Sequence, residues 1–225
     1  MLNSLFSSAN PLVTIGLTLS TSAPTLSVSA TEPFYVVVTA RILSTPHPDR
    51  PVTLLTHVSP LDDLDTRGFH NIICTNKPEK KIEIYPNYWS RYVWDPEDLR
   101  DTSSFKFVTI PPSGHGSYSV RHEVPLDKIK AANLEGGETY RVALTDLCLG
   151  TRWWTFASTG ELEGVRLRGW SCRAEYEDED DDPELRKELE REYQEKYGTG
   201  PVTNGEEPRM LAMVAEGEPA EFEIV

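Results

Sequence analysis

The sequence has no uninterrupted apolar run of the length that a membrane helix needs, which is about 18 residues. It also has no excess of basic residues, because 22 Lys and Arg stand against 36 Asp and Glu and give a formal net charge of −14. Nucleic acids and anionic membrane surfaces are bound through clustered Lys and Arg. The sequence therefore predicts neither a nucleic acid nor a membrane as a partner.

Cysteine is scarce, with only Cys74, Cys148 and Cys172 in 225 residues. An odd and sparse set does not form a disulfide framework, so free buried thiols in a reducing compartment are favoured over the alternative of one bridge. Residues 1–30 carry no charged side chain and so lack the basic start of a signal peptide. We predict a cytoplasmic protein and leave a nuclear location open.

Motifs of catalysis and cofactor binding are also missing from the sequence. His122-Glu123 begins like the zinc-protease motif H-E-x-x-H, but Leu126 stands where the second histidine is needed. Residues 112–116 (PSGHG) share only their composition with a serine nucleophile elbow, and they are predicted to form a tight strand connection. No phosphate-loop or dinucleotide fingerprint occurs. The sequence thus predicts no metal and no cofactor.

The negative charge is concentrated at one end of the chain. Residues 173–225 contain 18 acidic and 6 basic residues, whereas residues 1–172 contain 18 and 16. The net charges of the two parts are therefore −12 and −2. This division predicts a folded body over residues 1–172 followed by an acidic tail.

Strand patterns dominate the body. Val13, Ile15, Leu17 and Leu19 alternate with small or polar residues, which is the period-2 pattern of a half-buried strand. The connections between the runs are too short for the crossover helices of a parallel sheet. We predict an all-β, antiparallel, immunoglobulin-like β-sandwich, with strands over residues 13–20, 34–43, 52–58, 69–75, 81–85, 105–110, 117–124 and 139–147, and one or two helical turns over 125–134.

The tail has three predicted parts. Residues 173–182 form an acidic linker, because the run 175–182 (EYEDEDDD) repels itself. Asp182 and Pro183 are a favourable start for a single helix over 183–198, and Gly198 supplies its end. Residues 199–225 are rich in Gly, Pro and Glu and are predicted to be disordered, although residues 210–214 and 222–225 are apolar enough to dock on the body.

One segment of the body is crowded with aromatic residues. Exposed, such rings anchor protein partners or stack on sugars; buried, they close one end of a sandwich. The sequence favours burial, then a protein interface, then a sugar or small-ligand site. The candidate binding residues are Tyr85, Tyr88, Trp89, Arg91, Tyr92 and Trp94. Trp153-Trp154 poses the same choice, and at least one of the two is predicted to be exposed or covered by the tail helix.

The order of landmarks from Phe34 to about Phe156 resembles the small β-sandwich that precedes the catalytic domain of fungal deuterolysin-like metalloproteases. The landmarks are Ser59-Pro60-Leu61-Asp62, Phe69, Ile84-Tyr85 to Arg91, Phe105 to Pro112-Ser113, Val124-Pro125-Leu126 and Gly137-x-x-Tyr140-x-Val142-x-Leu144. No zinc-binding helix follows them. The resemblance implies a stand-alone fungal β-sandwich protein and carries over no catalytic residue.

Two classes of function follow from these observations. The leading hypothesis is a non-enzymatic interaction or accessory module. Its aromatic segment docks a protein, and its acidic segment 175–182 steers a basic partner or protects exposed sheet edges. The alternatives are an enzyme or enzyme accessory whose pocket gathers His57, His70, Asp146 and Arg152 from distant loops, and a sugar-binding or small-ligand module.

Overall fold

A computed structural model of the protein describes residues 10–56, 59–62, 71–84, 106–144, 149–163, 165–167, 191, 202–203 and 205–225. Over these residues the fold is all-β, with little helix: α1 spans Leu126–Ala131, and a short 3₁₀ turn spans Pro208–Met210. The predicted all-β class and the predicted helical turns after residue 124 are confirmed. None of the helices in the described parts of the chain is long and apolar enough to cross a bilayer.

The first sheet has four strands in the order β13-β1-β3-β8. Its long central strands are β1 (Val13–Thr21) and β3 (Phe34–Ser44), which run antiparallel. The edge strands are β8 (Tyr118–Val124) and β13 (Leu211–Ala215).

The second sheet has five strands in the order β2-β14-β9-β5-β6. Its strands are β2 (Thr25–Leu26), β5 (Asn71–Cys74), β6 (Lys81–Glu83), β9 (Thr139–Val142) and β14 (Ala220–Ile224).

Two smaller sheets complete the described strands. One has the order β10-β4-β7, from β4 (Val52–Leu55), β7 (Phe107–Ile110) and β10 (Trp154–Thr155). The other is a parallel pair of β11 (Arg166–Leu167) and β12 (Val202–Thr203). Each strand predicted over residues 13–147 therefore has a counterpart in the structure, in most cases shorter than the apolar run.

The two large sheets contribute their apolar faces to one main buried cluster. In β3, residues 34, 36, 38, 40 and 42 are buried while their neighbours are half-buried or exposed, as the two-residue period requires. Phe34 of the first sheet meets Phe222 of the second, with ring centroids 4.7 Å apart. Tyr140 stacks on the same Phe222 ring at 5.8 Å. The apolar faces of both sheets thus enter one buried cluster.

The predicted disorder of residues 199–225 is wrong for the described part of that range. We refer to residues 202–225 as the closing segment. It supplies β12, the edge strand β13 and the inner strand β14, and its residues Leu211, Met213, Phe222 and Ile224 are buried. Apolar residues alternate with Glu in β14, and Leu211 and Met213 are the buried residues of β13, so the segment has an apolar face despite its acidic composition. The body is therefore not confined to residues 1–172.

The prediction of purely antiparallel pairing needs a second correction. β13 runs parallel to β1, β2 runs parallel to β14, and β11 runs parallel to β12. The crossover argument applies to strands that follow each other closely in sequence. β1 and β13 are separated by most of the chain, so their connection is supplied by the rest of the fold.

The predicted tail helix falls almost entirely outside the described residues. Arg191 is the one position within 183–198 that the structure describes, and it is helical. The acidic linker 173–182 also lies outside the described residues.

Candidate functional site

The sequence-predicted binding and pocket residues fall mostly outside the part of the chain that the structure describes. This holds for the whole aromatic set Tyr85, Tyr88, Trp89, Arg91, Tyr92 and Trp94, and for His57, His70 and Asp146. Arg152 is described and is half-buried. The docking role of the aromatic set, and a pocket formed by His57, His70, Asp146 and Arg152, therefore stay predictions.

His122 and Glu123 lie on opposite faces of strand β8. The His122 imidazole is 1% exposed, and its Nε2 is 2.9 Å from the carbonyl oxygen of Pro60. Glu123 is exposed on the outer face. A strand points adjacent side chains in opposite directions, so this pair cannot form the one-sided constellation of a zinc protease.

Residues 112–116 connect β7 to β8, as predicted. The Ser113 amide donates to the carbonyl of Pro48 at 3.0 Å, and its hydroxyl faces the Ile42 carbonyl at 3.4 Å. Gly114 has a φ of 78°, a left-handed conformation that favours glycine. Ser113 therefore ties a turn to neighbouring strands.

Neither tryptophan of the Trp153-Trp154 pair is exposed, and the tail helix that was the alternative cover lies almost entirely outside the described residues. Trp154 is fully buried in the main core and donates its Nε1–H to the Glu207 carbonyl at 3.0 Å. Trp153 is 7% exposed and lies in a second small cluster, edge-on to Phe107 at 5.4 Å. Adjacent strand residues do face opposite sides here, but each side has its own apolar cluster.

Cys74 is the one cysteine within the described residues. It is free and fully buried, and its Sγ is 3.0 Å from the Asn76 Oδ1. Cys148 and Cys172 lie outside the described residues. A buried Cys74 agrees with the expected free thiol for that position.

A network of charges is the most distinctive polar feature of the described residues. It joins the turn before β6, which carries Lys77 and Lys80, to the turn before β9, which carries Glu135 and Glu138. Glu138 is only 3% exposed. Its Oε1 accepts hydrogen bonds from the ammonium groups of Lys77 at 2.9 Å and Lys80 at 2.7 Å. Its other oxygen, Oε2, accepts from the Glu135 amide at 3.0 Å and the Tyr140 hydroxyl at 3.2 Å.

The hydrogen bonds decide the ionisation of this network. Burial alone raises the pKa of Glu138, but the hydrogen bonds from Lys77 and Lys80 outweigh it and lower that pKa to about 2. The same contacts with Glu138 and Glu135 raise the pKa of Lys77. Burial and the adjacent Glu138 carboxylate raise the pKa of the Tyr140 phenol. At neutral pH the carboxylate is therefore ionised, the lysine is cationic and the phenol is protonated.

An open groove of about 440 Å³ lies beside the network, between β6 and α1. Lys80, Lys81 and Lys128 line it together with Glu79 and Glu83. The Lys81 ammonium is 2.5 Å from the Glu83 carboxylate. The groove thus offers charged groups of both signs over a shallow surface.

This arrangement is suited to holding charges in place. A carboxyl group with a pKa of about 2 exchanges no proton near pH 7, where a general base needs a pKa close to the working pH. Glu138 instead fixes the positions of Lys77 and Lys80. A sequence signal exists in the two like-charge pairs at a spacing of three residues, 77/80 and 135/138. That the lysine pair faces the glutamate pair follows only from the pairing of β5 with β9.

No grouping of three or more His, Cys, Asp or Glu side chains suited to a metal ion occurs among the described residues. The described residues define the class of this chain as an all-β protein with two principal sheets. No family model, no curated protein and no solved structure matches the chain. The likeness to deuterolysin-like proteases therefore stays a resemblance of landmarks.

Proposed function

We propose that this protein is a non-enzymatic, immunoglobulin-like β-sandwich that acts as a protein-interaction or accessory module. Its sheets form a fixed frame, and two segments inserted between strands carry the recognition. One is the aromatic segment 85–94, which docks the partner. The other is the acidic segment 175–182, which steers a basic partner towards it.

One observation carries this proposal. β11 and β12 lie side by side, with Arg166 opposite Val202 and Leu167 opposite Thr203. Residues 168–201 therefore connect two strands that are adjacent in the fold. This stretch contains 12 acidic and 6 basic residues, including seven acids within 175–182. The acidic segment is thus an insertion in the frame rather than a tail after it.

The position of the aromatic segment supports the same proposal. Residues 85–94 lie between β6, which ends at Glu83 in one sheet, and β7, which begins at Phe107 in another. Binding residues are commonly placed on connections that a rigid scaffold positions. Trp, Tyr and Arg, which make up most of this segment, are the residue types that dominate binding energy at protein interfaces.

The insertion geometry dictates how the proposal is tested. Ending the chain at residue 172 would remove β13 and β14 and unfold the frame, so loss of binding would then be uninformative. We would instead replace the seven acids of 175–182 by their amides in the full chain. A matched control replaces Glu188, Glu190, Glu192 and Glu195, which lie in the same inserted stretch. A third variant carries Trp89→Ala.

The assay is an affinity pull-down from source-cell lysate followed by mass spectrometry, at 50 and 300 mM salt. The proposal expects a basic protein that full-length chain and control variant retain, that the 175–182 variant loses, and that high salt weakens. It also expects Trp89→Ala to lose that partner while its circular dichroism stays unchanged. Equal recovery of every protein by all four chains would refute the interaction role of both segments.

A further inference from the structure

The closing segment (residues 202–225) makes its contacts with parts of the chain that lie far away in sequence. The Leu12 amide donates to the Met210 carbonyl at 2.7 Å, and the Glu216 amide donates to the Leu17 carbonyl at 2.8 Å. At the other sheet, the Ile224 amide donates to the Glu138 carbonyl at 2.8 Å. The segment thus adds one strand to each large sheet.

Side chains of the closing segment are buried in the core and also form an ion pair on the outer face. Phe222 and Ile224 are at most 2% exposed, and Phe222 contacts rings of β3 and β9. On the outer face, the Arg141 guanidinium binds the Glu221 carboxylate at 2.8 Å. β14 lies between β2 and β9, so the rest of the body forms a slot with a strand on each side. The slot accepts an extended chain with alternating apolar and acidic residues.

The covalent link to this slot is long. Between Leu167 of β11 and Val202 of β12 lie 34 residues, which span roughly 110 Å when fully extended. The two ends are nevertheless adjacent in the fold. The contacts of the closing segment are therefore the same whether it comes from its own chain or from a second copy.

From these observations we propose that the slot is a strand-accepting site for the closing segment of a second copy of this chain. Two chains exchange residues 202–225 reciprocally, and each body regains every contact that it has in the single chain. Exchange of an identical element creates no new core interface, so it is a low-cost route to a dimer. This proposal is independent of the interaction role given above.

The balance between single chain and exchanged dimer follows from effective concentration. As a reference, a random coil of 34 residues has a root-mean-square end-to-end distance of about 30 Å. That distance corresponds to an effective concentration on the order of 10 mM for the chain's own segment. At micromolar protein the single chain prevails. At 1 mM about a tenth of the chains are expected to exchange.

Cross-linking tests the proposal with two different chains, each of which carries one introduced surface cysteine beside the buried Cys74. One full-length chain carries Arg141→Cys and the other Glu221→Cys, because these positions face each other across β9 and β14. Both also carry Cys148→Ser and Cys172→Ser. The chains are unfolded, mixed and refolded together at 10 µM, 0.1 mM and 1 mM, and then mildly oxidised. The control replaces Glu221→Cys by Glu123→Cys, an exposed position on β8 in the other sheet.

The expected product is a disulfide-linked heterodimer. The fraction of chains in this heterodimer should rise about tenfold with each tenfold step in protein concentration, and the control should give none. No heterodimer at 1 mM from two chains that refold as monomers would overturn the proposal. So would an equal yield from the control, since it would indicate non-specific association. If the cysteine variants do not refold, light scattering of the unmodified chain refolded at 1 mM decides, and a purely monomeric product overturns the proposal.

Discussion

Replacement of Phe222 tests the central structural result, which is that the last strand of the chain is part of the core. Phe222 is 2% exposed and lies between Phe34 and Tyr140. Cutting a buried Phe back to Ala costs about 3–5 kcal/mol, from lost burial and from the cavity that remains. Its two ring contacts place this site towards the upper half of that range, at about 4 kcal/mol.

Urea denaturation followed by tryptophan fluorescence measures this loss. Phe222→Ala should lower the midpoint strongly with an unchanged m-value, because the surface exposed on unfolding is nearly the same. The matched control is Glu223→Ala on the same strand, which is exposed and should change stability by no more than about 0.5 kcal/mol. Since domains are stable by only about 5–15 kcal/mol, Phe222→Ala could leave no folded baseline. Ile224→Val then serves instead, at about 0.5–1.5 kcal/mol.

One result would refute the reasoning. If Phe222→Ala and Glu223→Ala shifted the midpoint equally and by less than 1 kcal/mol, β14 would not be packed between β2 and β9. Residues 1–172 would then again be a sufficient body, as composition alone suggests. The slot and the exchange of strands would lose their basis with it.

Three further predictions concern the charge network, a tight turn and the buried thiol. The pKa of Glu138 is depressed to about 2, so its contribution to stability is complete above the ordinary value of 4.5 and is lost as pH falls through 2. When the free energy of unfolding is measured from pH 4.5 down to 2, it should therefore fall less steeply for Glu138→Gln than for the unmodified protein. Identical slopes for the two proteins would contradict the network. Gly205→Ala should destabilise by at least about 2 kcal/mol in thermal unfolding, because its φ is +69° and a Cβ would lie 2.7 Å from the Trp154 carbonyl oxygen. Gly16→Ala should cost less than about 1 kcal/mol, because its Cβ meets only the movable ends of side chains, and a reversed order would refute the contact. Cys74 should react with a thiol reagent only on unfolding, and mass spectrometry of the folded protein should show it unmodified.

The early strands could be predicted because their pattern is local. In β1, Val13, Ile15, Leu17 and Leu19 alternate with small or polar residues, which is the two-residue period of a strand. β3 is an apolar run rich in Val and Ile, and the turn-forming residues 45–48 follow it. The burial pattern of β8 follows from the same rule.

The last two strands were missed because their support is not local. β13 and β14 have five residues each and are flanked by Glu, Gly and Pro. Averaged over the tail, their apolar residues are diluted by charge, which is the composition of disordered segments. What orders them is the pairing of β13 with β1 and of β14 with β9 and β2. A prediction made from short stretches of sequence uses no information about strand partners that lie roughly 80 to 200 residues away.

The charge network was beyond prediction for a related reason. Lys77, Lys80 and Glu135 are ordinary surface residues in the sequence, and only the antiparallel register of β5 and β9 places the two turns together. Their neutralising effect on one another then permits Glu138 to be buried, since a buried charge requires partners. Recognition of the site therefore depends on sheet order, which periodicity cannot supply.

The same long-range pairing shapes how the chain folds. Among the described strands, the parallel partners of β1 and β2 are β13 and β14, near the other end of the sequence. Closing such distant contacts costs chain entropy before burial repays it, and folds dominated by non-local strand pairs form slowly. Until the closing segment binds, Val13, Ile15 and Leu26 lack part of their cover, and the β1 edge is unpaired on that side. An unpaired sheet edge can bind a matching strand from another chain. The slow step in the folding of one chain therefore also gives a second copy time to supply the missing strands.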